Sequence, residues 1–265
     1  MEASGHAPRQ RYWLAAALAS ALLAMLAAAG LSRAADPSRP VVLFLGDSLT
    51  AGYGLSSDQA YPARIQQRID AAGLPYRVVN AGVSGDTSAG GLRRIGWLLR
   101  QPIDVLVLEL GANDMLRGQS VEAMRANLQA IVDRVRAAYP KVRLVVAGMR
   151  AAPNLGPRYA RAFDESFPQL ARRNDAALVP FLLEGVIGRP DLVQPDGLHP
   201  TARGHQRVAE TVWSVLGPVL REASQDEAAG RSPSTRSRPA SARPRPPSPH
   251  RVPPPQSDRL SRPGP

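Results

Sequence analysis

The sequence has no cysteine and only four histidines among its 265 residues. Without cysteine the chain forms no disulfide bond and has no attachment point for a lipid-modified cysteine, so an exported form would depend on its hydrophobic core for stability. Zinc sites usually need three or more nitrogen, sulfur or carboxylate ligands. Since only His199 and His205 lie between residues 36 and 220, we expect no metal site.

The net charge of +11 comes mainly from the two ends of the chain. Residues 221–265 hold nine arginines and four acidic residues, a net charge of +5, and residues 1–35 hold three arginines and one acidic residue, a net charge of +2. Residues 36–220 therefore carry a net charge of +4. The middle has no basic stripe interleaved with aromatic residues, so we expect no nucleic-acid partner. It also has no fixed-period repeat, which excludes a solenoid.

Residues 1–35 have the order of a secretory signal peptide. Arg9 and Arg11 precede an apolar stretch at residues 12–31, and small residues follow it. We expect cleavage after Ala34 and therefore a periplasmic or secreted protein. About 20 apolar residues are also enough to span a bilayer, so an uncleaved membrane anchor is the alternative.

Residues 221–265 are predicted to form a disordered tail rich in proline, arginine and serine. Eleven prolines fall within residues 231–265, where Val252 and Leu260 are the only large aliphatic residues. Such a segment buries too little apolar surface to offset the entropy that it loses on ordering. We interpret it as a dispensable extension, and a weak contact between its basic residues and an acidic envelope component is the alternative.

Residues 36–220 alternate short aliphatic runs with amphipathic segments, which is typical of one domain with strands and helices in turn. The predicted strands lie at 41–45, 76–80, 103–110, 142–147 and 177–181, and the predicted helices lie at 60–72, 92–99, after Ser120, around 159–170 and at 201–220. Parallel strands need long crossover connections, usually helices. The predicted fold class is therefore α/β, a three-layer α/β/α domain with a five-stranded parallel sheet.

Unusual polar residues follow the predicted strands one after another. They are Asp47 and Ser48 after the first strand, Ser84 and Gly85 after the second, Asn113 and Asp114 after the third, and Asp196 and His199 after the fifth. In an open parallel sheet the ligand site lies at the carboxyl ends of the strands, where the strand order reverses. We therefore expect these residues to meet at one edge of the sheet.

Ser48 is the candidate nucleophile because a buried strand ends abruptly at it. A serine hydroxyl needs a general base and a group that orients this base. His199 is the candidate base, and Asp196, three residues before it, is placed to turn back toward the imidazole. His205 lies inside the last predicted helix, and we interpret it as a surface or helix-face histidine.

Acyl transfer also needs hydrogen-bond donors for the oxyanion that forms on the substrate. The backbone N–H of Ser48 and of Gly85 and the side-chain amide of Asn113 are the candidates. Asp47 and Asp114 are interpreted as structural residues that hold their loops through nearby backbone N–H groups.

The motifs that carry these residues resemble, in order and spacing, the four blocks of the SGNH (GDSL) hydrolases, and more closely their bacterial periplasmic thioesterase I, lysophospholipase and arylesterase group. They are Gly46-Asp47-Ser48-Leu49, Ser84-Gly85-Asp86-Thr87, Gly111-Ala112-Asn113-Asp114 and Asp196-Gly197-Leu198-His199-Pro200. The resemblance covers about residues 40–218. No Gly-x-Ser-x-Gly elbow surrounds Ser48, which argues against the ordinary α/β-hydrolase arrangement.

The resemblance implies a flavodoxin-like SGNH hydrolase fold without a cofactor. It implies that Ser48 is the nucleophile, His199 the general base and acid, Asp196 its orienting carboxylate, and Ser48, Gly85 and Asn113 the oxyanion hole. The implied function is hydrolysis of small acyl esters and thioesters, including aryl esters and lysophospholipids. A carbohydrate O-acetylesterase of the same fold and a non-catalytic envelope-binding protein acting through its basic tail are the alternatives, and oligomeric state stays open.

Overall fold

The computed structural model describes residues 38–231. The predicted signal peptide and residues 232–265 of the predicted tail lie outside this range. The strands are β1 Val41–Gly46, β2 Arg77–Gly82, β3 Val105–Glu109, β4 Arg143–Ala147 and β5 Ala177–Val179. The helices are α1 Ser48–Ala51, α2 Tyr61–Ala71, α3 Ser88–Leu98, α4 Ala112–Leu116, α5 Val121–Ala138, α6 Pro157–Arg173 and α7 Ala202–Arg231, with a 3₁₀ turn at Pro153–Leu155.

The five strands form one sheet in the order β2-β1-β3-β4-β5, and every pair is parallel. Helix α2 packs on α7, while α3 packs on α5 and α5 packs on α6. The prediction of a three-layer α/β/α domain with five parallel strands is confirmed. The chain leaves β1 toward β2 on one side and later returns to β3 on the other side, so the strand order reverses at β1.

The central strands β1 and β3 are buried along their whole length. This explains why they are continuous apolar runs, since strands covered by helices on both faces have no solvent side. Helix α5 shows how the outer layers pack. The Ser120 hydroxyl accepts a hydrogen bond from the Ala123 N–H at 3.2 Å and caps the helix. Its buried stripe consists of Val121, Met124, Leu128, Ile131, Val132 and Val135, and each such side chain contributes about 1.5–3 kcal/mol when fully buried.

The last helix corrects the sequence prediction. Helix α7 runs to Arg231, so the predicted helix end at residue 220 is wrong and the predicted start of the tail at residue 221 falls inside a helix. The extension has its own contacts, because Ala223 packs against the core and Arg143 of β4 forms ion pairs with Glu222 and Asp226. Pro218 lies inside the helix and does not end it.

None of the helices within residues 38–231 has an apolar stretch sufficient to cross a bilayer.

Candidate active site

Ser48 is the first residue of the short helix α1, which begins directly after β1. The side chain of Asp47 caps this helix by accepting a hydrogen bond from the Leu49 N–H at 2.9 Å. Gly52 ends the helix in the left-handed region with a φ of 79°, which glycine adopts without steric cost. Strand, cap and glycine stop together fix Ser48 at the carboxyl edge of the sheet.

His199 lies between Ser48 and Asp196 in a hydrogen-bonded row. Its Nε2 is 2.9 Å from Ser48 Oγ, and its Nδ1 is 2.6 Å from Asp196 Oδ2. The ring of Tyr53 packs on the imidazole with a centroid distance of 4.5 Å. An ionised carboxylate only accepts hydrogen bonds, so the neutral imidazole carries its proton on Nδ1 and leaves Nε2 free to accept the proton of Ser48.

Asp196 is held by the backbone of the histidine that it contacts. Its Oδ1 accepts the N–H groups of Leu198 at 2.9 Å and of His199 at 3.0 Å. The hydrogen bonds from the backbone and side chain of His199 lower the pKa of Asp196 to about 2. Asp196 is therefore ionised near neutral pH.

The three predicted oxyanion donors follow the carboxyl ends of β1, β2 and β3, with Ser48 in helix α1, Gly85 in a turn and Asn113 in helix α4. Gly85 sits in a tight turn with a φ of 78°, and its carbonyl accepts a hydrogen bond from Arg117 Nη2 at 2.7 Å. Asn113 Nδ2 donates to Asp47 Oδ2 at 3.0 Å, which uses one of its two N–H bonds. Within residues 38–231 the backbone N–H groups of Ser48 and Gly85 make no hydrogen bond with the protein, so they are available to a ligand.

Asp47 and Asp114, the two carboxylates interpreted as structural, are both buried and hydrogen-bonded. Asp114 accepts from the backbone N–H of Ser88 at 2.7 Å and from its hydroxyl at 2.5 Å, which joins the start of α3 to α4. Burial raises the pKa of Asp47 to about 6, although hydrogen bonds from Leu49 and Asn113 oppose the rise.

Of the two predicted positions for His205, surface or helix face, the structure shows a helix residue that is buried. Its Nδ1 accepts the backbone N–H of Tyr61 at 3.1 Å, and the two rings stack. Burial lowers the pKa of His205 to about 4. It makes no hydrogen bond with Ser48, Asp196 or His199 in the part of the chain that the structure describes, so it has a packing role.

Glu109 is a member of this region that sequence reasoning did not assign. It is a fully buried carboxyl at the end of β3, hydrogen-bonded to the turn that carries Ser48. The available signal was a glutamate inside an otherwise apolar central strand. Across the described residues there is no cluster of three or more His, Cys, Asp or Glu side chains suited to hold a metal ion.

A serine, a histidine and a carboxylate in a hydrogen-bonded row at the carboxyl edge of a parallel sheet are the arrangement of a serine hydrolase. The comparisons with known proteins agree with this class. Residues 44–207 match the GDSL-like Lipase/Acylhydrolase family. The chain therefore belongs to this family, the SGNH hydrolases, and it is an enzyme with esterase function.

Curated relatives and solved structures match the same region. The chain is 44% identical over 180 residues to esterase TesA of Pseudomonas aeruginosa, a match that covers 68% of this chain and 89% of the relative. It is 39% identical over 181 residues to thioesterase 1/protease 1/lysophospholipase L1 of Escherichia coli K12, a match that covers 68% of this chain and 84% of the relative. A solved structure of the psychrotrophic esterase EstA from Pseudoalteromonas, inhibited by monoethylphosphonate, is 35% identical in sequence and has a TM-score of 0.64. The match covers 68% of this chain and 98% of the EstA chain.

Proposed function

We propose that this chain is an exported serine esterase and thioesterase that forms an acyl-enzyme on Ser48. The observation that supports this role is the hydrogen-bonded row from Ser48 Oγ through His199 to Asp196, with distances of 2.9 Å and 2.6 Å. In addition, unused backbone N–H groups of Ser48 and Gly85 lie at the same edge of the sheet.

In the proposed reaction His199 Nε2 takes the Ser48 proton while Oγ attacks the carbonyl carbon of the ester or thioester. The N–H groups of Ser48 and Gly85 and the Asn113 amide stabilise the oxyanion of the tetrahedral intermediate. The imidazolium, stabilised by ionised Asp196, then gives its proton to the leaving alcohol or thiol. A water molecule, deprotonated by His199, attacks the acyl-enzyme and releases the acid.

The surroundings of the site favour an acyl chain as the group next to the carbonyl. Tyr53 packs on the His199 ring and Leu198 directly precedes His199, while Val83 and Leu116 lie within three residues of Gly85 and Asn113 in the sequence. All four side chains are exposed. The neighbouring Met115 contacts the backbone of Ala152 with its sulfur at 3.2 Å from the N atom. Aryl esters, short- to medium-chain acyl thioesters and lysophospholipids are the proposed substrates, and no cofactor takes part.

A substrate panel separates this function from a carbohydrate O-acetylesterase. Rates are compared on p-nitrophenyl acetate, p-nitrophenyl octanoate, octanoyl-CoA and acetylated xylan. We expect substantial octanoate and thioester hydrolysis, because Tyr53 and Leu198 expose apolar surface beside His199. A much lower rate on p-nitrophenyl octanoate than on p-nitrophenyl acetate, together with release of acetate from xylan, would favour the sugar substrate.

Ser48→Ala tests the nucleophile. We expect the variant to fold, to lose turnover and to escape labelling by a serine-directed phosphonate, because Oγ is the attacking atom. Ser214→Ala is the matched control, since Ser214 is exposed on α7 and, within residues 38–231, its hydroxyl binds only the carbonyl of Thr211. Phosphonate labelling that persists in Ser48→Ala would place the nucleophile elsewhere.

Export is tested on the full chain in a Gram-negative host by fractionation and N-terminal sequencing. We expect a periplasmic or secreted product that begins at Ala35. Retention of an intact N-terminus in the membrane fraction would identify the segment as an anchor.

A further inference from the structure

Glu109 places a carboxyl group in the core directly beneath the Ser48 turn. It is the last residue of β3, it lies opposite Gly46 in the sheet register, and it is fully buried. Its Oε2 accepts hydrogen bonds from the Asp47 N–H at 3.1 Å and from the Thr50 hydroxyl at 2.7 Å. One carboxyl oxygen therefore holds the chain on both sides of Ser48.

The fold makes room for this carboxyl at Gly46. A Cβ at position 46 would lie 2.5 Å from Glu109 Oε2 and 2.0 Å from Thr50 Oγ1. Thr50 Oγ1 is also 2.8 Å from the Tyr61 hydroxyl. Since the single hydroxyl proton of Thr50 goes to Glu109, Tyr61 donates to Thr50. Glu109 Oε2 is thus the acceptor in both of its hydrogen bonds, from the Asp47 N–H and the Thr50 hydroxyl. The buried Oε1 has no hydrogen-bond partner within residues 38–231.

The charges around Glu109 disfavour its ionised form. Asp47 and Tyr61 are the titratable groups that face it, and within the described residues no arginine or lysine forms an ion pair with its carboxyl. Burial raises the pKa of Glu109 well above its usual range, and the charge of Asp47 raises it further. Asp47 accepts hydrogen bonds from Leu49 and Asn113, and both favour its ionised form. The charge of His199 also favours the ionised form of Asp47.

We propose that Glu109 is a neutral, protonated positioning residue of the Ser48 turn, and that Asp47 carries the single negative charge of this buried pair. With its proton on Oε1, Glu109 accepts two hydrogen bonds through Oε2 and adds no second charge beneath the site. Asp47, as the remaining carboxylate, keeps the Asn113 amide oriented. A charged Glu109 would oppose the negative charge that develops on the substrate oxygen in the transition state.

Infrared difference spectroscopy measures the protonation state directly, whether or not the proposed esterase mechanism is correct. The spectrum of Glu109→Gln is subtracted from that of the wild type near neutral pH. We expect the carbonyl stretch of a protonated carboxylic acid in the wild type and its loss in the variant. Glu184→Gln is the matched control, because Glu184 is exposed and lies 3.6 Å from Arg150, and it should show only carboxylate bands. Carboxylate bands from Glu109 would overturn the proposal.

Kinetics test the positioning role, and this part rests on the proposed function. Glu109→Gln keeps an acceptor oxygen and changes no charge, so we expect kcat within about threefold of the wild type and the same pH profile. Glu109→Ala leaves the Asp47 N–H without an acceptor and removes the bond that ties the Thr50 hydroxyl to β3. We therefore expect kcat to fall on the order of tenfold with KM little changed. A shifted pH profile in Glu109→Gln, or full activity in Glu109→Ala, contradicts the proposal.

A measurement on the wild-type protein covers the case in which these variants fail to fold. Glutamate labelled with ¹³C at the carboxyl carbon is followed by NMR across about pH 5 to pH 8, a range in which ordinary glutamates are ionised. One signal that stays at the protonated position supports the proposal. Complete ionisation of every glutamate overturns it.

Discussion

Asn113→Ala removes one candidate oxyanion donor and leaves Ser48, His199 and Asp196 unchanged. One N–H of the Asn113 amide is bound to Asp47 Oδ2 at 3.0 Å, which fixes the amide and leaves its second N–H for the substrate oxygen. The interaction strengthens as negative charge grows on that oxygen. The loss should therefore appear in kcat and much less in KM.

The expected magnitude follows from the loss of one preorganised donor. Such a donor contributes on the order of 10²- to 10³-fold in kcat, or about 2.7–4 kcal/mol of transition-state stabilisation. The variant also leaves the buried Asp47 carboxylate without one hydrogen bond, which costs about 1–3 kcal/mol of folding stability. The two effects are separable, because the second lowers the free energy of unfolding and the first does not.

The assay combines steady-state hydrolysis of p-nitrophenyl octanoate with urea unfolding. Asn174→Ala is the control, since Asn174 is a buried amide that binds Gln129 and the Leu170 carbonyl, each at 2.9 Å, away from Ser48. It should lose stability and keep kcat. A kcat for Asn113→Ala within about threefold of the wild type would refute the assignment of the amide as an oxyanion donor.

Three further predictions concern the frame around the site. His205 has a folded pKa of about 4 against 6.5 for the free side chain, so its neutral form stabilises the fold fully above pH 6.5 and this contribution, about 3 kcal/mol, is lost as pH falls toward 4. In urea unfolding at several pH values, His205→Asn should flatten this decline, and an unchanged pH dependence would contradict the assignment. Gly46→Ala should destabilise the fold and abolish activity, because its Cβ would lie 2.0 Å from a buried hydroxyl oxygen. Gly96→Ala, with no atom within 4 Å of the new Cβ, should be neutral or stabilising by up to about 1 kcal/mol, and equal melting temperatures for the two variants would refute the packing argument. Deletion of residues 232–265 should leave the esterase rate and the melting temperature unchanged, whereas deletion of 221–265 should lower the melting temperature because it removes part of a helix, and equal losses would show that the helix end contributes nothing.

The sheet could be predicted from the sequence because strands buried on both faces leave continuous apolar runs, and the polar residues after them mark one edge. The closeness of Ser48, His199 and Asp196 follows from this pattern. Helices α1 and α4 were not predicted, since four or five residues are too few for a helical period. Helix α1 is capped by the Asp47 side chain, whereas α4 has no side-chain cap and is held through the hydrogen bonds of Asp114 with Ser88.

Other features depend on contacts between distant parts of the chain. The burial of His205 follows from its hydrogen bond with Tyr61, 144 residues earlier. The end of α7 depends on Arg143 in β4, which holds Glu222 and Asp226. The sequence shows Glu109 as an acidic residue in an otherwise apolar strand. Its role can be inferred only from the strand pairing, which places Gly46 opposite it. Sequence periodicity does not record which residue lies across a strand pair.

The hydrogen bond between His199 and Ser48 joins residues 151 positions apart. We expect this contact to form late in folding, after β1 and β3 have paired and the loop before α7 has docked, because closing large loops costs entropy. Recovery of phosphonate reactivity during refolding would therefore lag behind the recovery of helical signal. The phosphonate reactivity of Ser48 would thus report the last step of folding, and a newly synthesised chain would remain inactive until this step is complete.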